Sequence, residues 1–194
     1  DKNEFQGRRI MMNKIVIGIV SLATAFTLSA CASDDKEASK HENIELDHSG
    51  MNHSSTGEVP ESVKVADNPT YEVGSQAILK TDHMEGMKGA EATIIGAYDT
   101  IAYIISYTPI SGGERVENHK WVIQEELKDA GDKILEPGTK VTIEADHMAG
   151  MKGAAADIDS AELTTVYMVD YTPTSGGEIV KNHKWVTESE LSTK

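Results

Sequence analysis

Histidine and methionine side chains occur within a few residues of one another at three places in this chain, and two of these places match in sequence. Imidazole nitrogen suits copper, zinc or nickel, whereas thioether sulfur selects soft ions such as Cu(I). The combination therefore predicts a site for a soft metal ion. The candidate ligands form two matching sets, His83, Met84, Met87 and His119 in the first and His147, Met148, Met151 and His183 in the second.

The two ligand sets belong to an internal repeat. Residues 74–127 and 138–191 align without a gap at an offset of 64, and 29 of the 54 aligned pairs are identical. The identities concentrate in three blocks, which begin at Asp82, Tyr107 and Asn118 in the first copy and at Asp146, Tyr171 and Asn182 in the second. Because all eight candidate ligands lie in these blocks, the sequence predicts the same binding chemistry twice.

The first block predicts a glycine-bent loop that is able to wrap an ion. His83 and Met87 are four residues apart, so one turn of chain brings imidazole and thioether together. Gly86 and Gly89 oppose a longer helix. Histidine with methionine, and no cysteine in either copy, favours copper as Cu(I). The spacing does not decide whether His119, about 35 residues later, folds back onto this loop.

Each of these residue types also has a purely structural use. The block methionines could fill gaps in an apolar core, and His119 and His183 could simply hydrogen-bond within the fold. The repeated Trp and Tyr residues are more typical of a core than of a site. Asp82 and Asp146 precede the first-block histidines, where they could orient the imidazole as hydrogen-bond acceptors or cap the turn.

The N-terminal part of the chain indicates a surface protein anchored by lipid. Residues 15–28 are apolar and follow Lys14, and Leu28-Ser29-Ala30-Cys31 resembles the lipobox of bacterial lipoproteins. We interpret residues 1–30 as an N-terminal extension and signal peptide, and we expect lipid attachment at Cys31, the only cysteine. This pattern predicts a protein held at the extracellular face of the cell membrane.

Residues 31–69 are predicted to be a disordered linker, because polar residues and glycine dominate and the few apolar residues show no periodicity. A His- and Met-containing tract within it adds three candidate ligands, His48, Met51 and His53. The formal net charge of −14 argues against nucleic acid as a partner and is compatible with attracting cations. Membrane attachment is therefore expected from the lipid and not from charge.

The two repeats predict an all-β fold. Short segments of the first repeat are rich in Val, Ile, Tyr and Thr and are separated by glycine clusters, which is typical of strands. These segments are residues 76–80, 92–95, 100–107 and 115–123. Only residues 125–128 and 189–191 indicate a helical closing turn. We expect two tandem small SH3-like barrels, at 70–130 and 131–194, each folding separately because a turn-rich joint links them.

The three blocks together resemble a known family. Asp-His-Met-x-Gly-Met-Lys-Gly-Ala, Tyr-Thr-Pro-x-Ser-Gly-Gly-Glu and Asn-His-Lys-Trp-Val, in tandem behind a lipobox, look like the YdhK family of Gram-positive lipoproteins over about residues 70–194. That family includes copper lipoproteins encoded beside copper-exporting ATPases. The resemblance implies a membrane-anchored protein that sequesters copper ions or hands them on, supports copper tolerance, and has a copper-exporting ATPase as a partner.

Two other classes of function compete with copper binding. An enzyme is disfavoured, because the sequence has no nucleophile triad, nucleotide-binding loop or paired-carboxylate motif, and a Met-rich site is poor for acid–base catalysis. The alternative is a cell-wall or peptide-binding surface module without metal, in which Tyr, Trp and the Gly-Gly loops of tandem SH3-like barrels would form a groove.

Overall fold

The computed structural model describes residues 54–194. Within that range the chain forms eight strands and two short 3-10 helices, Gln124–Glu126 and Glu188–Glu190. The strands are β1 (Lys64–Val65), β2 (Gln76–Leu79), β3 (Glu91–Tyr107), β4 (Val116–Ile123), β5 (Lys140–Thr142), β6 (Ala155–Tyr171), β7 (Val180–Thr187) and β8 (Leu191–Ser192). None of the helices in this part of the chain has the length and apolar character needed to span a membrane.

Several predictions concern residues that lie outside the described range. They are the signal peptide at 1–30, the lipidation site Cys31, and the linker tract with His48, Met51 and His53. The prediction of a disordered linker up to residue 69 is wrong for residues 54–69, because β1 pairs with β3 and Val63 is buried in an apolar cluster.

The all-β prediction is confirmed, with one difference in strand length. The segments predicted as separate strands, 92–95 and 100–107, are parts of the single 17-residue strand β3. The reason is that residues 96–99 continue the pairing with β6 instead of turning. The register shifts beside Ile95, which marks a β-bulge and a local increase in twist.

Strands β3 and β6 pair antiparallel over most of their lengths and relate the two repeats by an approximate two-fold axis. Thr100 lies opposite Thr164 near the middle of the pair. The same two residues are equivalent in the sequence repeat, since they are separated by its 64-residue offset. A residue that faces its own counterpart across an antiparallel pair must lie at a two-fold axis. Each position of the first repeat therefore has a symmetry-related position in the second.

The remaining strands attach to this central pair. Strands β1, β2 and β4 pair with β3, β5 and β7 pair with β6, and β8 pairs with β2. Leu79 of the first repeat thus pairs with Leu191 at the end of the second. In the same way Leu127, at the end of the first repeat, forms a bridge with Ile143 of the second. Strands of both repeats consequently belong to one sheet.

Three clusters of buried apolar residues pack on this sheet, and each cluster draws on both repeats. Residues from the two repeats that share a cluster are Ile94 and Tyr171 in the first, Tyr107 and Ile158 in the second, and Trp121 and Trp185 in the third. This arrangement differs from the two separately packed barrels predicted at 70–130 and 131–194. Alone, a repeat would expose apolar surface that the other covers, at about 25 cal/mol per Å².

Candidate metal centres

The first sequence block forms a loop ahead of a long strand, with residues 82–90 preceding β3 and the equivalent residues preceding β6. Gly86 and Gly150 have φ angles of 72° and 76°, a conformation that a Cβ disfavours. A Cβ there would also come within 2.4 Å of the Oγ atoms of Ser175 and Ser111, respectively. Each serine belongs to the opposite repeat. Each His/Met loop is therefore seated on the Ser-Gly-Gly loop of the other copy.

Each loop histidine is held by a carboxylate from the other repeat. His83 Nε2 lies 2.7 Å from Glu190 Oε1, and His147 Nε2 lies 2.8 Å from Glu126 Oε1. All four side chains are nearly excluded from solvent, with 6 to 11% of their surface exposed. The two glutamates close the short 3-10 helices, where the sequence predicted helical turns.

The second oxygen of each carboxylate binds an indole and a backbone N–H. Trp121 Nε1 donates to Glu190 Oε2 at 2.8 Å, and Trp185 Nε1 donates to Glu126 Oε2 at 3.0 Å. Both tryptophans lie in the repeat opposite their glutamate. The backbone N–H groups of Thr187 and Ile123 donate to the same oxygens at 3.1 and 3.2 Å, respectively. These bonds fix each carboxylate and with it the orientation of the imidazole.

Both carboxylates are ionised. Burial alone would raise the pKa of Glu190, but the hydrogen bond and the charge of His83 lower it to about 2. Burial of Glu126 is likewise outweighed by the charge and hydrogen bond of His147, so that its pKa also lies below the usual value. An ionised carboxylate only accepts hydrogen bonds. Nε2 is therefore the donor in each loop histidine.

The other ring nitrogen, Nδ1 of His83 and of His147, is buried and has no hydrogen-bond partner within residues 54–194. Once Nδ1 exchanges its proton for a bound ion, Nε2 remains the donor to the carboxylate and Nδ1 presents its lone pair. Buried polar atoms are almost always hydrogen-bonded, so an unpartnered ring nitrogen at two equivalent positions is a candidate to bind a ligand. A carboxylate that orients the ring of a metal-binding histidine is a recurrent arrangement in proteins.

The third-block histidine of the first repeat approaches the loop histidine of the second. The ring centroids of His119 and His147 lie 6.5 Å apart, and the His119 ring meets Tyr107 edge-on at 5.9 Å. Nε2 of His119 is buried without a hydrogen-bond partner among the described residues. Burial, followed by the charges of His147 and His83, lowers the pKa of His119 to about 4. The ring is therefore neutral at pH 7, and its lone pair is available.

The second repeat contains the equivalent arrangement. His183 is buried and meets Tyr171 edge-on at 5.8 Å. By the two-fold relation between the repeats, His183 is the counterpart of His119, and His83 is the counterpart of His147. We define the His83 pocket as His83, Met84, His183, Tyr171, Glu190 and Trp121. We define the His147 pocket as His147, Met148, His119, Tyr107, Glu126 and Trp185.

The four candidate methionines divide into two kinds. Met87 and Met151 are fully buried within apolar clusters, which is the packing role that the sequence left open. Met84 and Met148 are partly buried at the edges of those clusters, beside the loop histidines. Met148 Sδ lies 4.0 Å from the Tyr107 hydroxyl, which donates to it. Met84 and Met148 are therefore the better candidates for thioether ligands.

One interpretation of the surrounding residues is corrected, namely that Asp82 and Asp146 orient the imidazoles. Asp82 and Asp146 are exposed, and the acceptor that orients each imidazole is a glutamate of the other repeat. Glu126 and Glu190 were not among the site residues predicted from the sequence. A signal was nevertheless present, because this pair is identical in the two copies while lying outside the three main blocks.

The aromatic residues that a peptide-binding groove would expose are instead buried. They are Tyr103, Tyr107, Trp121, Tyr167, Tyr171 and Trp185. No group of three or more His, Cys, Asp or Glu side chains in residues 54–194 is arranged to hold a metal ion. A metal ion held in this part of the chain would therefore need ligands outside that set, for which the partly buried Met84 and Met148 are the candidates.

Comparison with known proteins agrees with the repeat structure. The family model "Protein of unknown function (DUF1541)" matches residues 73–124 and 137–188, one match in each repeat. The chain is 58% identical over 198 residues to "Uncharacterized protein YdhK" of Bacillus subtilis strain 168, covering 100% of this chain and 97% of that protein. The resemblance to the YdhK family seen in the three blocks is confirmed.

Solved structures of the B. subtilis protein are also similar. The crystal structure of the DUF1541 family protein ydhK at 2.00 Å shares 67% identity with a TM-score of 0.73, covering 76% of this chain and 100% of that chain. The solution NMR structure of the ydhK C-terminal domain shares 72% identity with a TM-score of 0.61, covering 63% and 93% of the two chains.

Proposed function

The chain belongs to the DUF1541 family, and we propose that it is a copper-binding protein that holds Cu(I) in the His83 and His147 pockets. The observation that carries the proposal is a set of buried imidazole nitrogens without a hydrogen-bond partner among the described residues, on His83, His119 and His147. The partly buried thioethers Met84 and Met148 lie beside the loop histidines. Lone pairs that are neither hydrogen-bonded nor solvated are suited to a metal ion.

The ring separation in the His147 pocket supports a shared ion. Two imidazoles that bind one ion from nearly opposite sides, at about 2 Å per bond, have centroids roughly 6 Å apart. The centroids of His119 and His147 are 6.5 Å apart. The separation of the two rings is therefore compatible with one ion bound between them.

The ligand types favour copper over other ions. Calcium and magnesium prefer oxygen ligands, and structural zinc sites use four His, Cys or carboxylate ligands, a set that neither pocket provides. Thioether sulfur selects Cu(I), and imidazole also suits copper. The ionised glutamate behind each loop histidine supplies a negative charge close to the cation, which the neutral ligands themselves lack.

The proposal extends to location and to role. We infer that lipid at Cys31 anchors the protein at the extracellular face of the membrane, and that the tract with His48, Met51 and His53 adds ligands. The protein would sequester copper or hand it on, with a copper-exporting ATPase as its partner, and would thereby support copper tolerance. Binding without turnover needs no catalytic group.

The test of copper binding replaces the thioethers by leucine. Leucine keeps nearly the same volume, and such swaps usually cost less than about 1.5 kcal/mol. The pair Met84→Leu and Met148→Leu should weaken Cu(I) binding by about tenfold or more, the scale seen when a metal site loses a supporting group. The pair Met87→Leu and Met151→Leu is the matched control and should leave the affinity unchanged.

The affinity is measured anaerobically by competition with a chromophoric Cu(I) chelator, on the full mature chain. The linker ligands are replaced beforehand, as His48→Ala, Met51→Leu and His53→Ala. If this parent chain takes up no Cu(I), the proposed function is wrong. If the parent binds Cu(I) and the Met84 and Met148 variant binds equally well, the thioethers are not ligands.

Anchoring is tested separately. Because Cys31 is the only thiol, Cys31→Ala should move the protein from the membrane fraction to the medium. Cys31→Ser serves as a second variant that removes the acylated sulfur with a smaller change in shape. A substituted protein that stays with the membrane would contradict the lipid anchor.

A further inference from the structure

The two pockets differ in how they are covered, although their ligands are equivalent. Residues 54–58 run beside β7, the strand that carries His183. Ser55 N donates to the Lys181 carbonyl at 2.9 Å, and Ser55 Oγ donates to the Asn182 carbonyl at 2.7 Å. Asn182 Nδ2 returns a hydrogen bond to the Ser55 carbonyl at 3.2 Å. The segment is thus tied to the two residues immediately before His183.

Further contacts extend this attachment on both sides. Lys181 N donates to Ser54 Oγ at 2.9 Å, and the Lys184 ammonium group donates to the Glu58 carbonyl. An ideal Cβ built at Gly57 would lie 3.1 Å from the Asn182 side chain, so the segment approaches the strand closely. We refer to residues 54–58 as the covering segment.

The two histidine strands also differ in the exposed fraction of their side chains. His183 is only 7% exposed, whereas its counterpart His119 is half-buried. The preceding residues show the same trend, since Asn182 is half-buried and Asn118 is exposed. The two-fold symmetry of the ligands is therefore broken at the surface above them.

We propose that the covering segment slows copper exchange at the His83 pocket, so that the protein has one retaining site and one exchanging site. The inference rests on the proposed function, namely that both pockets bind Cu(I). For the ion to leave, the third-block imidazole must move away from it. At His183 that motion first requires opening of the covering segment, whereas the half-buried His119 faces no such step. Breaking two or more hydrogen bonds makes such an opening rare, which predicts release slower by about tenfold or more.

The test follows Cu(I) release from the full mature chain, with the linker ligands replaced as above, into an excess of chromophoric chelator. Two phases of equal amplitude are expected, and His119→Ala should abolish the fast one. The double variant Ser55→Pro and Asn182→Gly removes three hydrogen bonds between the covering segment and β7, and glycine accepts the positive φ of Asn182. It should accelerate the slow phase by about tenfold. Asn118→Gly is the matched control and should leave both rates unchanged.

A measurement on the metal-free protein tests whether the covering segment forms, without reference to copper. Amide hydrogen exchange should be slower at Lys181, whose N–H is bonded to Ser54, than at the equivalent Glu117. Stoichiometric binding followed by a single release phase would overturn the inference and leave copper binding intact. Absence of Cu(I) uptake would overturn both. Equally fast exchange at Lys181 and Glu117 would show that the cover does not form, which would also overturn the inference.

Discussion

The His83 and His147 pockets are built from the same three sequence blocks, yet their peripheries differ. Thr81 Oγ1 donates to Glu190 Oε1 at 3.1 Å, whereas the equivalent residue of the other pocket is Ala145. Lys120 Nζ lies 3.8 Å from Glu190 Oε1, whereas the equivalent Lys184 is turned to a carbonyl of the covering segment. The two-fold pairing of β3 with β6 makes the ligand positions of the two pockets equivalent. The residues around those positions differ, so the two pockets differ in local charge and in solvent access.

Separating the repeats should break both pockets at once, and this is the largest effect we expect. Residues 54–130 alone lack the strands that complete each apolar cluster, and they lose Glu190 from the His83 pocket. The amide resonances of the fragment should be poorly dispersed, whereas those of residues 54–194 should be well dispersed. A dispersed spectrum from the fragment would instead support the prediction that each repeat folds separately.

Removing one carboxylate should damage the two pockets unequally. Glu126→Ala leaves the fully buried Trp185 indole and the His147 imidazole without their acceptor, and losing a buried partner costs about 3 to 5 kcal/mol. Glu190→Ala should cost less, about 1 to 3 kcal/mol, because Glu190 and Trp121 are closer to solvent and water can replace part of what is lost. Urea unfolding of the metal-free protein measures both changes.

The control for this pair is Glu144→Ala, because Glu144 is exposed and its removal should change the unfolding free energy by less than about 0.5 kcal/mol. Equal losses for Glu126→Ala and Glu190→Ala would mean that solvent access does not distinguish the pockets. A loss no greater than that of the control would mean that the carboxylates do not hold the histidines.

Much of this architecture could be predicted from the sequence, because local patterns report local structure. Glycine-separated runs of Val, Ile, Tyr and Thr indicated strands, and Gly86 with Gly89 indicated the bent loop. The pairing of the repeats could not be predicted in this way. It depends on the register of β3 against β6, which places Thr100 opposite Thr164, and no spacing within one repeat contains that information.

The same limit explains why the carboxylates were missed. Glu190 lies 107 residues from the histidine that it orients, so proximity in sequence favoured Asp82 instead. The different burial of the methionines could not be predicted either, since Met84 and Met87 differ only in which side of the loop faces the core. Their identical spacing in both copies predicted shared roles but could not assign them.

The central claim is that each pocket combines histidines of both repeats. It is tested most directly by measuring the Cu(I) stoichiometry of variants that lack two histidines. The sample is the full mature chain with the linker ligands replaced. If each pocket combines the loop of one repeat with the strand of the other, His119→Ala with His147→Ala disables one pocket, and one Cu(I) remains bound. The same-repeat pair, His83→Ala with His119→Ala, then disables both pockets and leaves none. The reverse pattern, with one ion retained by the same-repeat pair and none by the cross-repeat pair, would contradict the shared pockets on which the account depends.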